Sequence, residues 1–210
     1  MFNISSNVSD GASFLEMKIV FCIPGINFSN RFLESWTNLI QMMPLDIEWY
    51  LNVGYEPNIF ANRQTLLDRA KMYNADYYMW IDSDQVFKPH HFFKLLRHNK
   101  DIVSGVILRQ LNYDSTESNI FACTTLEGKS LTKEMRDNSK ERLIEVKYSG
   151  MGFMLTKSSI FENLDNPFSS PDPVRGLSED LYFQTKVKEK GIKSYADLDM
   201  IIGHEKTFIL

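Results

Sequence analysis

Two carboxylates, Asp82 and Asp84, stand two residues apart directly after the strongly apolar segment Tyr77–Ile81. The segment predicts a buried strand, and in open α/β sheets ligands bind beyond the carboxyl ends of the strands. Clustered carboxylates repel each other unless a cation or a proton offsets their charge. A hard divalent ion, Mg²⁺ or Mn²⁺, is the natural occupant, and it would bring phosphate oxygens with it. The alternative is that the pair only forms a turn before a helix that begins at Pro89.

A second acidic pair, Glu179 and Asp180, follows Ser178 at the start of a predicted helix. Neighbouring helical residues point in different directions, so only one of the two carboxylates would face a given site. One is a candidate general base, and the other would support a loop or a cap. The alternative is ordinary helix chemistry, in which a serine N-cap is followed by acidic residues that the helix dipole favours.

A histidine and two glycines complete the set of candidates. His204 follows the short apolar segment Met200–Ile202, and as a nitrogen ligand it would complete a carboxylate site and favour Mn²⁺. A lone histidine is also commonly a surface or hydrogen-bonded residue. Gly150 and Gly152 would let the backbone approach a ligand closely, or would form a hairpin turn. The sequence contains no Walker A loop, Gly-x-Gly-x-x-Gly, Cys-x-x-Cys or Gly-x-Ser-x-Gly motif, which removes several common enzyme classes.

Secondary structure must position these candidate residues. In the first half of the chain the sequence predicts strands that alternate with helices. Periodicity and breaker residues predict strands at 19–23, 47–53, 77–81 and 102–108, with helices at 31–43, 62–73 and 89–98. This alternation predicts an α/β fold with a mostly parallel sheet. In the second half we expect loops at 110–120, 127–140 and 166–176, strands at 143–148 and 153–156, a helix at 178–190 and two short strands that end at residue 204.

Composition excludes several classes of protein. Of the 210 residues, 43% are hydrophobic and 24% are charged, which excludes a wholly disordered chain, a collagen-like repeat and a small disulfide scaffold. The formal net charge of −4 gives no general attraction to nucleic acid, so we expect no nucleic-acid binding.

Location and domain organisation follow from the same survey. No apolar stretch approaches the roughly 18 residues of a transmembrane helix, so we expect no membrane-spanning segment. The two cysteines and the absence of a signal-peptide pattern predict a cytoplasmic, reducing location. We expect residues 1–16 to form a flexible leader and residues 17–210 to form a single domain.

Taken in order, these pieces resemble the GT-A fold, and specifically the inverting glycosyltransferases of family 2. The resemblance covers residues 18–204 and carries the family's landmarks in the family's order. The landmarks are Ile23-Pro24-Gly25-Ile26-Asn27, similar to an opening Ile-Pro-Thr-Tyr-Asn; Asn62-Arg63, similar to an Arg-Asn pair; Asp82-Ser83-Asp84, matching the Asp-x-Asp motif; and Ser178-Glu179-Asp180-Leu181 with His204, similar to a Glu-Asp motif and a trailing histidine. Gly25 stands where the family usually has Thr.

The resemblance implies a Rossmann-like GT-A sheet with helices on both faces, and a nucleotide-sugar donor, with a UDP-sugar favoured. It implies that Asp180 is the general base, with Glu179 as the alternative residue for that catalytic role. It also implies a cation, Mn²⁺ or Mg²⁺, held by Asp82, Asp84 and His204. The residues expected to contact the donor are Pro24, Asn27, Arg63, Asp82, Ser83, Asp84, Gly150 and Gly152. The sugar would pass with inversion to a hydroxyl of a sugar, lipid or protein acceptor.

Two other functions fit part of the sequence. In a haloacid-dehalogenase-like phosphatase an apolar strand also precedes an Asp-x-Asp motif, and Asp82 would be the covalent nucleophile with Asp84 as the acid/base. That motif normally follows the first strand, whereas two predicted strands precede it here. The third hypothesis is a non-catalytic nucleotide- or sugar-binding module, in which Asp180 is only a helix-start acid.

Overall fold

The computed structural model describes residues 17–109, 120–168 and 178–205. The strands in these ranges are β1 (Met17–Pro24), β2 (Ile47–Gly54), β3 (Tyr77–Ile81), β4 (Gln85–Val86), β5 (Ile102–Ile107), β6 (Ile120–Thr124), β7 (Ser130–Thr132), β8 (Leu143–Val146), β9 (Tyr148–Ser149), β10 (Phe153–Lys157) and β11 (Ser194–His204). The helices are α1 (Asn30–Gln41), α2 (Ile59–Lys71), α3 (Pro89–His98), α4 (Lys133–Asn138) and α5 (Glu179–Glu189), with a 3₁₀ turn at Ser158–Phe161. The predicted leader at 1–16 and most of the predicted loops at 110–120 and 166–176 lie outside the described residues.

Strong local signals set several boundaries where the sequence predicts them. β3 and α3 begin and end at the predicted residues, and Pro89 is the first residue of α3. Ser29 caps α1, because its Oγ accepts a hydrogen bond from the Phe32 amide at 3.0 Å. Asn58 caps α2 by accepting from the Phe60 amide at 3.0 Å, and so α2 begins earlier than predicted.

The central sheet is mixed, whereas the alternation of elements predicts a mostly parallel one. Its strands lie in the order β2-β1-β3-β10-β5-β11-β4, and β8 also pairs with β11. β1 is parallel to β2 and β3, and β5 is parallel to β11, but β10 runs antiparallel to both β3 and β5. The cause is the path of the chain. The Asp82 amide donates to the Gly152 carbonyl at 3.0 Å, so the chain enters β10 at the carboxyl end of β3 and runs back along it.

The second half of the chain departs most from prediction. Residues 127–140, predicted to be a loop, contain β7 and α4, and β7 belongs to a second sheet of order β7-β6-β9. The two short strands expected before residue 204 are instead one long strand, β11, whose register against β5 shifts between Asp197 and Ile201. Pairing with β5, β8 and β4 keeps β11 continuous, and local periodicity does not contain that information.

Helices cover both faces of the central sheet, as the resemblance implies. Successive strand residues point to opposite faces, so each strand contributes to two cores. One core holds β1, α1 and α3 together and includes Phe21, Phe32 and Phe92. The other joins β3 to α2 and α5 and includes Trp80 and Phe183. Full burial of such a side chain stabilises the fold by about 1.5–3 kcal/mol, so the strand ends are held rigidly.

The carboxyl ends of β1, β2 and β3 meet at one edge of the sheet, and we call it the carboxyl edge. There the Gly25 amide donates to the Gly54 carbonyl at 3.1 Å. A Cβ at Gly25 would lie 2.5 Å from the Cβ of Ser83, so the loop after β1 contacts the Asp-x-Asp turn with no room for a side chain. None of the helices in the described ranges is long and apolar enough to cross a membrane.

Candidate active site

Asp82 and Asp84 lie in a tight turn at the carboxyl edge. β3 ends just before Asp82, and the Gln85 amide donates to the Asp82 carbonyl at 3.1 Å. Asp82 Oδ1 accepts from Arg63 Nη2 at 2.9 Å, whereas Asp84 Oδ2 lies 2.9 Å from His204 Nε2. A regular strand would have pointed both side chains to one face, so it is the turn that gives each carboxylate its own partner.

Asp84 and His204 pair with each other at the carboxyl edge. Pairing of β11 with β4 carries His204 to this edge, and Gln85 Nε2 donates to Asp84 Oδ1 at 2.9 Å and orients the carboxylate. The 2.9 Å between Asp84 Oδ2 and His204 Nε2 is a hydrogen-bond distance, so the two groups are partners of each other in this structure.

The predicted metal set of Asp82, Asp84 and His204 stays a prediction. In the part of the chain that the structure describes, no group of three or more His, Cys, Asp and Glu side chains could hold a metal ion. A cation bound by the Asp84–His204 pair would take its other ligands from water and phosphate oxygens, as Mg²⁺ commonly does.

Arg63 connects the Asp-x-Asp turn to the start of α5. Its guanidinium, 2% exposed, donates from Nε to Glu179 Oε1 at 3.0 Å and from Nη2 to Asp82 Oδ1 at 2.9 Å. Burial alone would lower the pKa of Arg63, but the charges of Asp82 and Glu179 more than offset it and raise that pKa. Arg63 therefore stays charged and fixes both carboxylates. Its Nη1 is buried with no hydrogen-bond partner among the described residues.

Glu179 and Asp180 diverge, as their adjacent positions on a helix predict. Glu179 is buried against Arg63, whereas Asp180 is only partly buried. Asp180 Oδ1 accepts from the Leu181 amide at 2.8 Å and from the Ser178 hydroxyl. The Ser178 side chain thus orients Asp180 and makes no cap hydrogen bond to the helix backbone. Of the two predicted catalytic residues, Asp180 is the one with solvent access.

Sequence reasoning missed two residues that hold Asp180 in place. The Tyr148 hydroxyl donates to Asp180 Oδ2 at 2.6 Å. Gln184 accepts from the Ser149 amide at 2.9 Å, and its Nε2 donates to the Asp180 carbonyl at 3.2 Å. Gln184 lies four residues after Asp180, a spacing that places both on one helix face and was a usable signal. No local signal pairs Tyr148 with Asp180, because they are 32 residues apart.

Of the two predicted glycines, Gly152 lies beside the acidic turn, whereas Gly150 packs against Ala122. Gly150 is buried, and its amide donates to the Ala122 carbonyl at 2.7 Å. A Cβ on Gly152 would lie 3.1 Å from Asp82 Oδ2 and 2.9 Å from Ile107 Cδ1. A side chain at Gly152 would therefore crowd Asp82, which explains a glycine there.

The remaining predicted donor contacts flank the same edge. Pro24 is buried as the last residue of β1, Asn27 is exposed in the loop that follows, and Ser83 lies in the turn beneath Gly25. The structure thus brings the residues from the ends of β1 and β3 together. Their contact with a nucleotide stays a prediction.

Comparison with known proteins gives matches only at the level of structure. No protein-family model matches the chain, and no curated protein matches it. The chain is similar to A197 from STIV, with 17% identity and a TM-score of 0.57, over 92% of this chain and 96% of that one. It is also similar to GalNAc-T7, a GT-A glycosyltransferase solved with UDP, GalNAc and Mn²⁺, with 11% identity and a TM-score of 0.57, over 90% of this chain and 44% of that one.

The chain has a GT-A-like fold. Membership of family 2 stays a prediction. On this GT-A-like scaffold, two acidic pairs and one buried guanidinium meet at the carboxyl edge of the sheet.

Proposed function

We propose that the chain is a metal-dependent glycosyltransferase that moves a sugar from a nucleotide-sugar donor to an acceptor hydroxyl with inversion. A UDP-sugar is the favoured donor. The observation that carries the proposal is the pair of salt bridges by which Arg63 binds both Asp82 and Glu179. It joins two acidic motifs far apart in sequence into one site, with Asp180 at one end and the Asp84–His204 pair at the other.

The donor side of the site belongs to the Asp-x-Asp turn. Asp84 and His204 would hold Mn²⁺ or Mg²⁺, with water and phosphate oxygens as its other ligands, and Asp82 would lie beside it in the position that Arg63 fixes. Bound there, the cation would neutralise charge on the leaving nucleoside diphosphate. Pro24, Asn27, Ser83 and the backbone of Gly150 and Gly152 would line the donor and sugar positions around it.

The acceptor side belongs to the start of α5. Asp180 Oδ2 would take the proton of the acceptor hydroxyl while that oxygen attacks the anomeric carbon and the bond to the diphosphate oxygen breaks. Glu179 would act through Arg63, which holds it away from the acceptor. Such general-base assistance contributes about 10²–10⁴-fold to the rate. The acceptor would be a sugar, a lipid or a protein.

The first test is thermal stability with UDP, GDP, CDP and dTDP, each with and without Mn²⁺. A ligand at about 100 times its dissociation constant stabilises the folded state by about 2.7 kcal/mol, which raises the melting temperature by a few degrees. We expect a shift with one nucleotide that needs Mn²⁺ and that disappears in Asp84→Asn. Asp199→Asn, an exposed carboxylate outside the site, is the matched control.

The other outcomes separate the alternatives. No shift with any nucleotide would reject a donor site. Phosphate release from a simple phosphomonoester would favour the phosphatase with Asp82 as its nucleophile. Nucleotide binding without turnover of any nucleotide sugar would favour the non-catalytic module.

A further inference from the structure

Tyr148 contacts the acceptor side of the proposed site directly, and neither acidic motif contains it. Its hydroxyl donates to Asp180 Oδ2 at 2.6 Å, a distance typical of a hydrogen bond to a charged acceptor. Burial and the charge of Asp180 both raise the pKa of Tyr148. The phenol therefore stays protonated and acts as a donor.

Tyr148 lies on β9, and β9 is hydrogen-bonded to α5. Gln184 accepts from the Ser149 amide at 2.9 Å, and its Nε2 donates to the Ser149 carbonyl. The hydroxyl of Ser104, on β5, donates to the Ser149 hydroxyl at 2.9 Å. The residue next to Tyr148 is thus bound to α5 through its backbone and to β5 through its side chain. The Tyr148 hydroxyl therefore has a fixed position relative to the first turn of α5.

The hydrogen bonds to Asp180 leave a specific place for an acceptor. A carboxylate has about four lone-pair sites, two on each oxygen. The Leu181 amide and the Ser178 hydroxyl occupy Oδ1, and Tyr148 occupies one site on Oδ2. The described residues therefore leave one site on Oδ2, and its direction is set by the Tyr148 contact.

We propose that Tyr148 is a positioning residue for Asp180, which holds Oδ2 so that its remaining lone pair accepts the acceptor proton. This inference rests on the proposed function, because it assigns Tyr148 to the base of that reaction. Tyr148 does not touch the donor in this arrangement. Its loss should lower the rate of the chemical step and leave donor binding as it is.

The test compares Tyr148→Phe, which removes only the hydroxyl, with Tyr195→Phe as a matched control on the far part of β11. We expect kcat of Tyr148→Phe to fall about 10- to 100-fold, since misplacement of a reacting group costs that much. The donor dissociation constant, measured by titration with the nucleoside diphosphate and Mn²⁺, should change less than about twofold. Tyr195→Phe should match the wild type in both.

Three results would overturn the inference, and they differ in what else they reject. A kcat of Tyr148→Phe equal to that of the wild type rejects the role of Tyr148 and leaves the proposed function standing. Equal losses of kcat and donor affinity indicate general damage to the site and also reject it. Absence of turnover in the wild type with any nucleotide sugar rejects the proposed function and, with it, a role in that reaction.

A second measurement does not depend on activity or on the folding of Tyr148→Phe. Fluorine NMR of fluorotyrosine-labelled protein would record the Tyr148 resonance at neutral pH, in the wild type and in Asp180→Asn. Because the Tyr148 hydroxyl donates to Asp180 Oδ2 at 2.6 Å, exchange of the charged acceptor for a neutral amide should shift that resonance. A resonance at the same position in both proteins would show that the phenol does not sense the Asp180 carboxylate, and would overturn the inference.

Discussion

Two ion-paired clusters join helices to the central sheet, and they differ in how completely their polar atoms are bonded. In the first, Asp197 of β11 is fully buried and accepts from Lys94 Nζ at 3.0 Å, from His98 Nε2 at 2.7 Å and from the Asp199 amide at 2.9 Å. Both carboxylate oxygens of Asp197 therefore accept hydrogen bonds.

The second cluster, around Arg63, lies at the carboxyl edge and keeps unused polar atoms. Arg63 Nη1, Asn62 Oδ1 and Gln85 Oε1 are buried without a hydrogen-bond partner among the described residues. Buried polar atoms in folded proteins are normally bonded, so these three atoms mark places where a bound ligand would find a partner. Three further atoms among the described residues are in the same state, Gln64 Oε1, Thr125 Oγ1 and Glu205 Oε2, so unbonded atoms are not confined to this edge. Buried charge alone does not identify a site. The Asp197 cluster is closed and structural, whereas the Arg63 cluster keeps polar atoms without a partner among the described residues.

Among the substitutions that distinguish the two clusters, we expect the largest effect, a loss of turnover, from Asp180→Asn, next to Glu179 of the Arg63 cluster. The asparagine keeps the shape of the side chain and an oxygen for Tyr148, but it cannot take a proton. Turnover should therefore fall about 10²–10⁴-fold while the donor dissociation constant stays the same. Steady-state kinetics together with nucleotide titration measure both quantities.

The control for this change is Asp199→Asn, which alters a carboxylate of the other cluster and should leave turnover unchanged. Unchanged turnover in Asp180→Asn would move the base role to Glu179 or reject the inverting assignment. Glu179 is already bound to Arg63, so that outcome would also require the Arg63 cluster to rearrange.

The next largest effect is a loss of stability in Asp197→Ala. Removal of one partner from a buried ion pair costs about 3–5 kcal/mol. We expect about 3 kcal/mol, the lower end of that range, because Lys94 and His98 are 33% and 19% exposed and can still reach water. Urea unfolding measures the change, with the slope m unaffected. Activity per folded molecule should not change.

Asp199→Ala is the matched variant for stability, because Asp199 is 48% exposed and pairs with Arg142. An exposed ion pair contributes at most about 1 kcal/mol, so this change should be small. Equal stability of Asp197→Ala and the wild type would contradict the structural role of the closed cluster. A loss of turnover without a loss of stability would place that cluster in the function.

The sequence predicts the parts of the site that short-range patterns encode. Five apolar residues before Asp82, together with Pro89 after it, set the bounds of β3 and α3 and place the acidic turn at the end of a buried strand. Ser178 and the acidic residues after it predict the start of α5. These signals depend on neighbouring residues only, and the structure reproduces them.

The rest depends on contacts between distant residues. Arg63 and Glu179 are 116 residues apart, and His98 and Asp197 are 99 apart, so no window of sequence contains either pair. The antiparallel direction of β10 is decided by where the chain re-enters the sheet, next to Asp82. Each cluster pairs carboxylates with basic side chains, and only tertiary structure shows which one retains unbonded atoms.

The smallest expected effect is a pH dependence carried by His91, in the first turn of α3. Lys94 and His98 of the closed cluster lie on the same helix. Burial, and then the charges of His90 and Lys88, lower the pKa of His91 from 6.5 to about 4. Its Nδ1 accepts from the Lys88 amide at 3.3 Å, which requires the neutral ring.

The sign follows from proton binding. Between pH 6.5 and about 4 the unfolded chain binds a proton at His91 that the folded chain does not, so the free energy of unfolding decreases as the pH falls through this window. Because the ring is partly exposed, solvent screening limits the change to about 1 kcal/mol. His91→Gln keeps a capping-box side chain but cannot titrate, so urea unfolding from pH 6.5 to 4 should show a shallower decrease. His90→Gln should retain most of the wild-type slope. If His91→Gln keeps the full slope, His91 is not the source of the acid sensitivity.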